Sequence, residues 1–313
     1  MDNPASSKRT TGAVWGHRAS PHSESTAASK ARSSRERAAS LQEESLHLQE
    51  VSMPTKAAPQ PRPIIPWMGG KRRLAKHLLP LFPDHSCYIE LFAGGAALFF
   101  MRETPAKVEV LNDINGDLTN LYRVLQHHYD EFIRQFAWTL TSRQTFALLQ
   151  STPPETLTDI QRAARFYYLQ HTAFGGKTTG QSFGTATTAR AWRIAGIAED
   201  LRAARRRLDG VYIENEPWDR CLKRYDRPHS FFYADPPYWQ CEGYGRAFGW
   251  EQYQLLAEMM GTCKGKMMLS INDHPDIRTL FKAFEQSPLQ LTYTMSRTKG
   301  KAPSGELVIR NYR

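Results

Sequence analysis

The sequence has few cysteines and no long apolar run. The four cysteines lack the close pairs that mark a disulfide framework or a zinc site: Cys87, Cys221, Cys241 and Cys263. The longest apolar stretch, residues 91–101, contains two glycines and is too short to cross a bilayer. No segment near the start has the apolar centre of a signal peptide. We therefore expect a cytoplasmic protein with reduced thiols, no bound metal and no membrane association.

Residues 1–58 contain almost no aromatic residues and are rich in Ser, Ala, Arg and Glu, a composition that cannot bury a core. This tail is predicted to be disordered. The first 60 residues hold eight Lys and Arg against six Asp and Glu, so most of the net charge of +10 lies beyond them. A basic folded part suits a polyanionic partner, although many solvated surfaces are also basic. Because Met53 shortly precedes the first motif, we expect residues 1–52 to be dispensable or untranslated.

An aromatic run in the second half of the chain ends in two consecutive prolines. Phe231-Phe232-Tyr233-Ala234 is typical of a buried strand, and Asp235-Pro236-Pro237-Tyr238 follows it directly. Proline has no N–H for a strand ladder, so the strand must end at Asp235 in a rigid turn. The Asp235 carboxylate and the Pro236 carbonyl are then two fixed acceptors beside the flat face of Tyr238. This set suits a planar amine such as the amino group of a nucleobase; an ordinary proline-rich turn is the alternative.

Three further motifs stand upstream of this turn: Trp67-Met68-Gly69-Gly70-Lys71, Glu90-Leu91-Phe92-Ala93-Gly94-Gly95 and Asn112-Asp113. With these motifs in this order, residues 62–313 resemble the Dam-type DNA adenine N6-methyltransferases of bacteria and phages, an alpha-group branch of the amino-methyltransferases. The resemblance implies S-adenosylmethionine as cofactor, double-stranded DNA as substrate, and catalytic roles for Asp235, Pro236, Pro237 and Tyr238. In that family cytosine enzymes usually begin the catalytic motif with Ser and glutamine enzymes with Asn, so Asp235 favours adenine.

The first of these motifs is not a phosphate loop, because the Gly and the Ser or Thr that such a loop needs around Gly70-Lys71 are missing. Lys71 is instead predicted to lie in the first turn of a short helix, where its ammonium can pair with a ligand carboxylate. Asp113 ends a second predicted strand, about 20 residues after the glycine turn at Gly94. An acid at this place binds the ribose hydroxyls of an adenosyl ligand.

The resemblance implies cofactor contacts for the residues at matching motif positions: Trp67, Gly70, Lys71, Phe92, Gly94, Asp113, Trp218 and Asp235. Two of these residues have structural alternatives. Trp67 can serve only as a core side chain, and Asp113 can cap the helix that begins near Ile114. At Pro217-Trp218 the family often has Asp-Phe against the adenine of the cofactor, so the aromatic partner is retained while the polar contact stays open.

Residues 126–207 are mostly helical by pattern and interrupt the alternation of strands and helices. Within them, residues 172–185 are rich in Gly, Ser and Thr and favour a loop or hairpin. The corresponding region of Dam-type enzymes recognises DNA, and the candidate contacts are Phe174, Lys177, Gln181, Arg190, Arg205 and Arg206. Arginines on a helix usually form a solvated face, so we assign phosphate contacts to about a third of the arginine run that consists of Arg190, Arg193, Arg202, Arg205, Arg206 and Arg207.

Strands that alternate with helices predict an α/β fold with a mostly parallel, Rossmann-like sheet and helices on both faces. The methyltransferase core is predicted at residues 59–125 and 208–313, and residues 126–207 form a helical target-recognition insert. Further strands are expected at residues 211–213, 267–271, 289–293 and 306–310, the last two as an antiparallel edge pair. We expect a monomer.

The resulting hypothesis is a site-specific or low-specificity enzyme that methylates N6 of a flipped-out adenine in double-stranded DNA. Few side chains of the insert can make bidentate base contacts, so the target is expected to be short or degenerate, on the order of four base pairs or fewer. The rivals are methylation of cytosine N4, of RNA or of a protein glutamine, and a DNA-binding protein without catalysis. An inactive protein should carry a damaged motif, and Lys71, Asp113 and Asp235 are intact.

Overall fold

The structure is a computed structural model that describes residues 61–185, 187, 192–241, 248–289 and 305–313. The tail predicted at residues 1–58 lies outside these residues, as does Arg190. No helix within the described ranges is long and apolar enough to cross a membrane.

Seven strands form one sheet: β1 Cys87–Glu90, β2 Val108–Asn112, β3 Tyr212–Glu214, β4 Ser230–Ala234, β5 Lys266–Asn272, β6 Glu285–Leu289 and β7 Glu306–Arg310. Their order across the sheet is β3-β2-β1-β4-β5-β7-β6. The first five strands in this order are parallel, β7 is antiparallel to β5, and β6 is antiparallel to β7. The predicted α/β fold with a mostly parallel sheet is confirmed.

The helices of the described residues are α1 Ala75–Leu78, α2 Ala97–Met101, α3 Gly116–His127, α4 Tyr129–Arg134, α5 Arg143–Ser151, α6 Asp159–Thr172, α7 Ile197–Leu208, α8 Trp218–Tyr225, α9 Trp250–Thr262 and α10 Pro275–Leu280. Short 3-10 turns stand at Lys71–Arg73, Leu79–Leu81, Pro154–Thr156, Phe174–Gly176 and Ile194–Gly196.

Helices cover both faces of the sheet. Successive side chains of a strand point to opposite faces, and the central strands accordingly contribute to two separate cores. Tyr88 and Phe231 join a core with side chains of α1 to α7, whereas Ile89 and Phe232 join a core with side chains of α8, α9 and α10. This arrangement explains why the central strands are mostly apolar, since neither face of the sheet meets water.

The predicted helical insert shares the first of these cores. A capping box at Thr158 and Gln161 starts α6, which packs along α3. The residues of α7 that recur at helical spacing are all buried, as the pattern predicted: Ile197, Leu201, Ala204 and Leu208. The helices between residues 126 and 207 are therefore continuous with the sheet in packing, and their boundary as a separate recognition domain stays a prediction.

The structure tests the strand predicted at residues 289–293 only at Leu289, which ends a strand that pairs antiparallel with β7, as expected. This strand, β6, spans Glu285–Leu289, and residues 290–293 lie outside the described ranges. β6 is the last strand of the sheet and consists of Glu, Gln, Ser, Pro and Leu, so it carries neither an apolar run nor clear alternation. Pro288 is tolerated there because an edge strand does not need every N–H for pairing. The strands predicted near residues 211–213, 267–271 and 306–310 are confirmed.

Candidate active site

A cavity of about 700 Å³ lies at the carboxyl ends of β1, β2 and β4. All eight residues proposed to contact the cofactor line it: Trp67, Gly70, Lys71, Phe92, Gly94, Asp113, Trp218 and Asp235. Parallel α/β sheets bind ligands at this edge, outside the strand ends. The volume lies within the range of about 300–1,000 Å³ that is common for small-molecule sites. The sequence motifs, which lie far apart in the chain, thus meet around one space.

The glycine turn after β1 has a backbone that only glycine accommodates. Gly94 has a φ of +48°, and a Cβ atom there would lie 2.5 Å from Nε1 of Trp67. The Gly94 carbonyl accepts a hydrogen bond of 2.6 Å from the Tyr122 hydroxyl. Trp67 is half-buried against this turn and also lines the cavity. Its role as a packing side chain and its place in the candidate site are therefore compatible.

Asp113 stands directly after β2 and bridges two loops of the cavity wall. Its Oδ2 accepts from the Gly94 N–H at 2.9 Å, and its Oδ1 accepts from the Asn115 N–H at 2.8 Å. The alternative that Asp113 caps the next helix is wrong. Asn115 caps α3, because its side chain accepts from the N–H groups of Asp117 and Leu118. Asp113 lies too far before the first helical residue to reach those groups.

Lys71 connects the cofactor motif to the catalytic turn. Its Nζ lies 2.5 Å from Oδ1 of Asp235 and 3.0 Å from the Gly69 carbonyl oxygen. Lys71 is 3% exposed and Asp235 20% exposed, so the pair is poorly solvated. Burial raises the pKa of the Asp235 carboxyl, and the Lys71 ammonium opposes that rise. The sequence predicted a ligand carboxylate as the partner of Lys71, whereas in the structure its partner is Asp235, the candidate catalytic residue.

The proline turn begins immediately after β4, as the missing N–H groups predicted. Pro236 is buried, and the Pro237 carbonyl accepts a hydrogen bond of 2.5 Å from the Tyr253 hydroxyl of α9. The Tyr238 ring packs with its centroid 4.8 Å from Nζ of Lys71. The turn is thus held by contacts from helix, strand and loop, so its acceptors have little freedom to move.

Sequence reasoning missed Glu306, which begins β7 and is 2% exposed. Its Oε2 accepts from the Tyr238 hydroxyl at 2.6 Å, and its Oε1 lies 3.8 Å from Nζ of Lys71. Burial raises the pKa of the Glu306 carboxyl to about 7, against the lowering effect of Lys71. One feature of the sequence could have indicated Glu306. It directly precedes the apolar run Leu307-Val308-Ile309, and a carboxylate that is buried with such a strand needs a partner.

A second buried carboxyl, Glu90, lies at the end of β1 and also lines the cavity. Its Oε1 accepts from the Tyr88 hydroxyl at 2.8 Å and from the Phe99 N–H at 2.9 Å. Burial raises the pKa of Glu90 to about 7, against the lowering effect of the Tyr88 hydrogen bond. This carboxyl links β1 to α2 behind the glycine turn.

Trp218 forms an aromatic wall with Phe92 at the other end of the cavity. The two ring centroids are 6.1 Å apart, and the Trp218 indole N–H donates to Gln252 at 2.9 Å. Glu216 lies beside them on the lining, and its Oε2 is buried without a hydrogen-bond partner among the described residues. An unpaired buried acceptor beside an aromatic wall suits a ligand that brings a polar N–H group with a flat ring. Glu216 is therefore a candidate for the polar contact that the sequence left open.

The Gly-rich segment of the insert forms a hairpin, which confirms that prediction. Ala173 pairs with Phe183 as an antiparallel bridge, and the Phe174 N–H donates to the Ser182 carbonyl at 2.8 Å. Thr178 and Thr179 of this hairpin also line the cavity. The candidate DNA-reading segment and the candidate cofactor site thus share a wall.

A chain of side-chain amides ties the hairpin to the first motif. Gln181 donates from Nε2 to Oε1 of Gln170 at 2.7 Å and to the Lys177 carbonyl at 2.7 Å. Gln170, which is fully buried, donates in turn to the Pro66 carbonyl at 3.1 Å. Because both N–H groups of Gln181 are used within the protein, bidentate contact with a base requires one of these bonds to break.

The remaining candidate DNA contacts lie at the surface, except Arg190, which is outside the described residues. Phe174 is 68% exposed, and Lys177, Arg205 and Arg206 are exposed as well. Arg207, which belongs to the arginine run counted from the sequence, is not part of a basic face. Its guanidinium pairs with the buried Glu109 and lies 3.7 Å from the Phe99 ring centroid, because Arg207 falls on the inward side of α7.

Comparison with known proteins agrees with this arrangement. A sequence profile described as D12 class N6 adenine-specific DNA methyltransferase matches residues 67–295. The type II methyltransferase M.CviBI of Paramecium bursaria Chlorella virus NC1A is 30% identical over 266 residues, which cover 80% of this chain and all of the relative. The type II methyltransferase M1.LlaDCHI of Lactococcus lactis subsp. cremoris is 26% identical over 80% of this chain and 95% of its own length. A DNA adenine methylase of Haemophilus influenzae is 26% identical over 67% of this chain and 78% of its own length. The chain belongs to the family of D12 class N6 adenine-specific DNA methyltransferases.

Proposed function

We propose that this enzyme uses S-adenosylmethionine, bound in the cavity at the carboxyl edge of the sheet, to methylate a flipped-out adenine held by the Asp235 turn. The main support for the proposal is the contact between Lys71, which lines the cavity, and the Asp235 carboxylate. Nζ of Lys71 lies 2.5 Å from Oδ1 of Asp235. Direct transfer requires the methyl donor and the amine to be held side by side, with the reacting atoms about 3–3.5 Å apart, and a cavity that adjoins the Asp235 turn supports such an arrangement.

The cavity residues fit an adenosyl amino acid. In this proposal Asp113 accepts from ribose hydroxyls, and the buried Oε2 of Glu216 accepts from the amino group of an adenine against Trp218; both residues line the cavity. Gly94 allows the ligand to approach the backbone closely. When it is bound, S-adenosylmethionine supplies a methyl group that is activated by its positively charged sulfur.

The catalytic turn supplies the acceptors for the substrate amine. Asp235 and the Pro236 carbonyl accept the two N–H bonds of N6, and Tyr238 stacks on the base. Holding both hydrogens in this way turns the nitrogen lone pair out of conjugation with the ring and toward the methyl group. The new bond joins N6 to the methyl carbon as the carbon–sulfur bond breaks, and one N6 proton passes to Asp235 and then to water. The fixed acceptors also stabilise the positive charge that develops on N6.

The helical insert, residues 126–207, supplies the DNA surface in this proposal. The hairpin places Phe174 and Lys177 at the surface beside the cavity, and α7 carries the exposed Arg205 and Arg206. Exposed cations contact phosphates of any sequence, whereas the hairpin contacts base edges. Extruding the base from the duplex costs a few kcal/mol, which these contacts must offset. We expect the enzyme to act as a monomer on double-stranded DNA.

Nucleoside mass spectrometry of unmethylated duplex DNA treated with the purified full chain and S-adenosylmethionine tests the proposal. The expected product is N6-methyladenine, formed by the wild type and not by Asp235→Ala. N4-methylcytosine as the sole product, or no methylated base at all, contradicts it. Binding of S-adenosylmethionine measured by calorimetry tests the cofactor site separately, and Asp113→Ala is expected to weaken it.

A further inference from the structure

Glu306 stands next to the catalytic machinery without belonging to any of the sequence motifs. It is the first residue of β7, where it pairs in register with Asn272 of β5, and only 2% of it is exposed. One oxygen holds the Tyr238 hydroxyl at 2.6 Å. The other oxygen, Oε1, is buried and makes no hydrogen bond within the part of the chain that the structure describes. A buried acceptor that is left open in this way requires an explanation.

The cation beside Oε1 is Lys71, whose Nζ lies 3.8 Å away. Lys71 itself lies between two carboxyl groups, because it contacts Asp235 at 2.5 Å. One ammonium cannot neutralise two buried carboxylates fully, and isolated buried charges are strongly disfavoured. The geometry therefore gives Lys71 one tight partner and a second partner that lies at 3.8 Å, beyond hydrogen-bonding distance.

The proposed chemistry weakens the contact between Lys71 and Asp235. Lys71 holds Oδ1 of Asp235 in the structure, the substrate amine draws on the negative charge of the same carboxylate, and that charge is lost when the N6 proton passes to Asp235. When the amine arrives, the Lys71 ammonium needs another acceptor, since it is only 3% exposed and water cannot replace the lost bond easily. The Gly69 carbonyl already accepts from it at 3.0 Å, which leaves Oε1 of Glu306.

We propose that Glu306 is a positioning residue that holds the ring of Tyr238 through its hydroxyl and receives the Lys71 ammonium when the adenine amino group binds Asp235. This inference rests on the proposed function and adds a residue to it. Glu306 touches neither the substrate nor the reacting atoms. It acts through Tyr238, which stacks on the base, and through Lys71, whose contact with Asp235 weakens.

The protonation state of Glu306 makes the role measurable. Burial raises the pKa of its carboxyl to about 7; Lys71 and the hydrogen bond from Tyr238 lower it, and Asp235 raises it further. Only the ionised carboxylate can take up Lys71 strongly. Since the ionised form is lost as the pH falls through about 7, turnover should fall over the same interval. Glu90, whose pKa is also raised to about 7, stays unchanged in every variant below.

The test compares single-turnover methylation rates of the full chain and of Glu306→Gln from pH 5.5 to 8.5, with saturating S-adenosylmethionine and duplex DNA. Glu306→Gln keeps the shape of the side chain and removes the charge. We expect a rate lower by about 100-fold, as for a misplaced catalytic group, loss of the inflection near pH 7, and cofactor affinity within about threefold of the wild type. Glu285→Gln, which removes a half-exposed carboxyl from β6, is the matched control and should leave rate and inflection unchanged.

Tyr238→Phe isolates the first half of the role and keeps the test valid if Glu306→Gln does not fold. It removes only the hydroxyl that Glu306 holds, so the rate should fall about tenfold or more while the melting temperature and cofactor affinity stay near those of the wild type. If the wild type is active and Glu306→Gln keeps both the rate and the inflection near pH 7, the role of Glu306 is overturned and the proposed function stands. A Tyr238→Phe rate equal to the wild-type rate overturns it too. A wild type that forms no N6-methyladenine overturns the proposed function instead.

Discussion

Nζ of Lys71 lies 2.5 Å from Oδ1 of Asp235, although the two residues are 164 positions apart in the chain. The first motif of the sequence and the catalytic turn are therefore parts of one site. Lys71 belongs to the wall of the cavity and Asp235 to the turn that follows the central strand β4, so in the proposed function their ion pair stands where cofactor and substrate meet.

Asp235→Ala should lower turnover by about 100- to 1,000-fold or more, because it removes the acceptor for charge that develops on N6. Binding of DNA and S-adenosylmethionine should stay largely intact. Asp113→Ala should instead weaken cofactor binding by about 10- to 100-fold, the loss of a hydrogen bond to a charged group. Calorimetry and single-turnover rates separate the two effects. Near-normal turnover by Asp235→Ala would show that another group acts as the acceptor.

Gly176→Ala should weaken cofactor binding more than Gly175→Ala does. Both residues have positive φ angles, +66° and +74°, so alanine brings similar backbone strain of about 1–2 kcal/mol at each. A Cβ atom at Gly176 would lie 3.2 Å from the backbone of Pro66 and Trp67, whereas one at Gly175 meets nothing within 4 Å. Only the first change pushes the hairpin away from the cofactor motif. Equal affinities for S-adenosylmethionine in the two variants would refute this coupling.

Arg207→Ala should destabilise the fold by about 3 kcal/mol, the low end for breaking a buried ion pair. The value is low because Arg102 still contacts Glu109 at 3.0 Å after the change. Arg206→Ala, one position earlier and exposed, should change stability by no more than about 0.5 kcal/mol. Arg206→Ala should weaken binding to all DNA sequences. It should also reduce, by about one unit, the slope of the logarithm of the binding constant against the logarithm of the salt concentration. Urea denaturation and salt titrations of DNA binding distinguish these variants.

Gln181→Ala should change which sequences are methylated, whereas Arg206→Ala should slow methylation of all sequences alike. Gln181 is held by Gln170 and Lys177, so alanine also loosens the hairpin that carries it. Methylation-sensitive sequencing of DNA from cells that express each variant measures the preference. An unchanged sequence preference for Gln181→Ala would place base recognition elsewhere. The expectation of a short or degenerate target fails if the wild type methylates one long, unique motif.

Removal of residues 1–52 should leave both melting temperature and methylation rate unchanged, because their composition cannot contribute a buried core. The truncated protein starts at Met53, ahead of the first motif. Thermal unfolding and the mass-spectrometric assay measure the two quantities. A lower melting temperature or a slower reaction would assign the tail a role in the enzyme.

The sequence by itself determined the features that depend on neighbouring residues. Consecutive prolines end β4 at the catalytic turn wherever the strand lies, and positive φ at Gly94 follows from a sharp strand-to-helix turn. Apolar runs revealed β5 and β7, and helical spacing revealed the buried side of α7. The sequence did not reveal residues 285–288 of the edge strand β6, because its polar residues and Pro288 form neither an apolar run nor an alternating pattern.

Only the tertiary structure decided which distant groups touch. Three contacts depend on the order of strands in the sheet. They are the pairing of Lys71 with Asp235, the hydrogen bond between Glu306 and Tyr238, and the wall that the hairpin shares with the candidate cofactor cavity. The insertion of β7 between β5 and β6 brings Glu306 to the catalytic edge, and no local pattern encodes that insertion. Buried charged groups are stabilised by partners that lie far away in the chain. Such partners are needed because water cannot reach a buried charge and replace a missing partner.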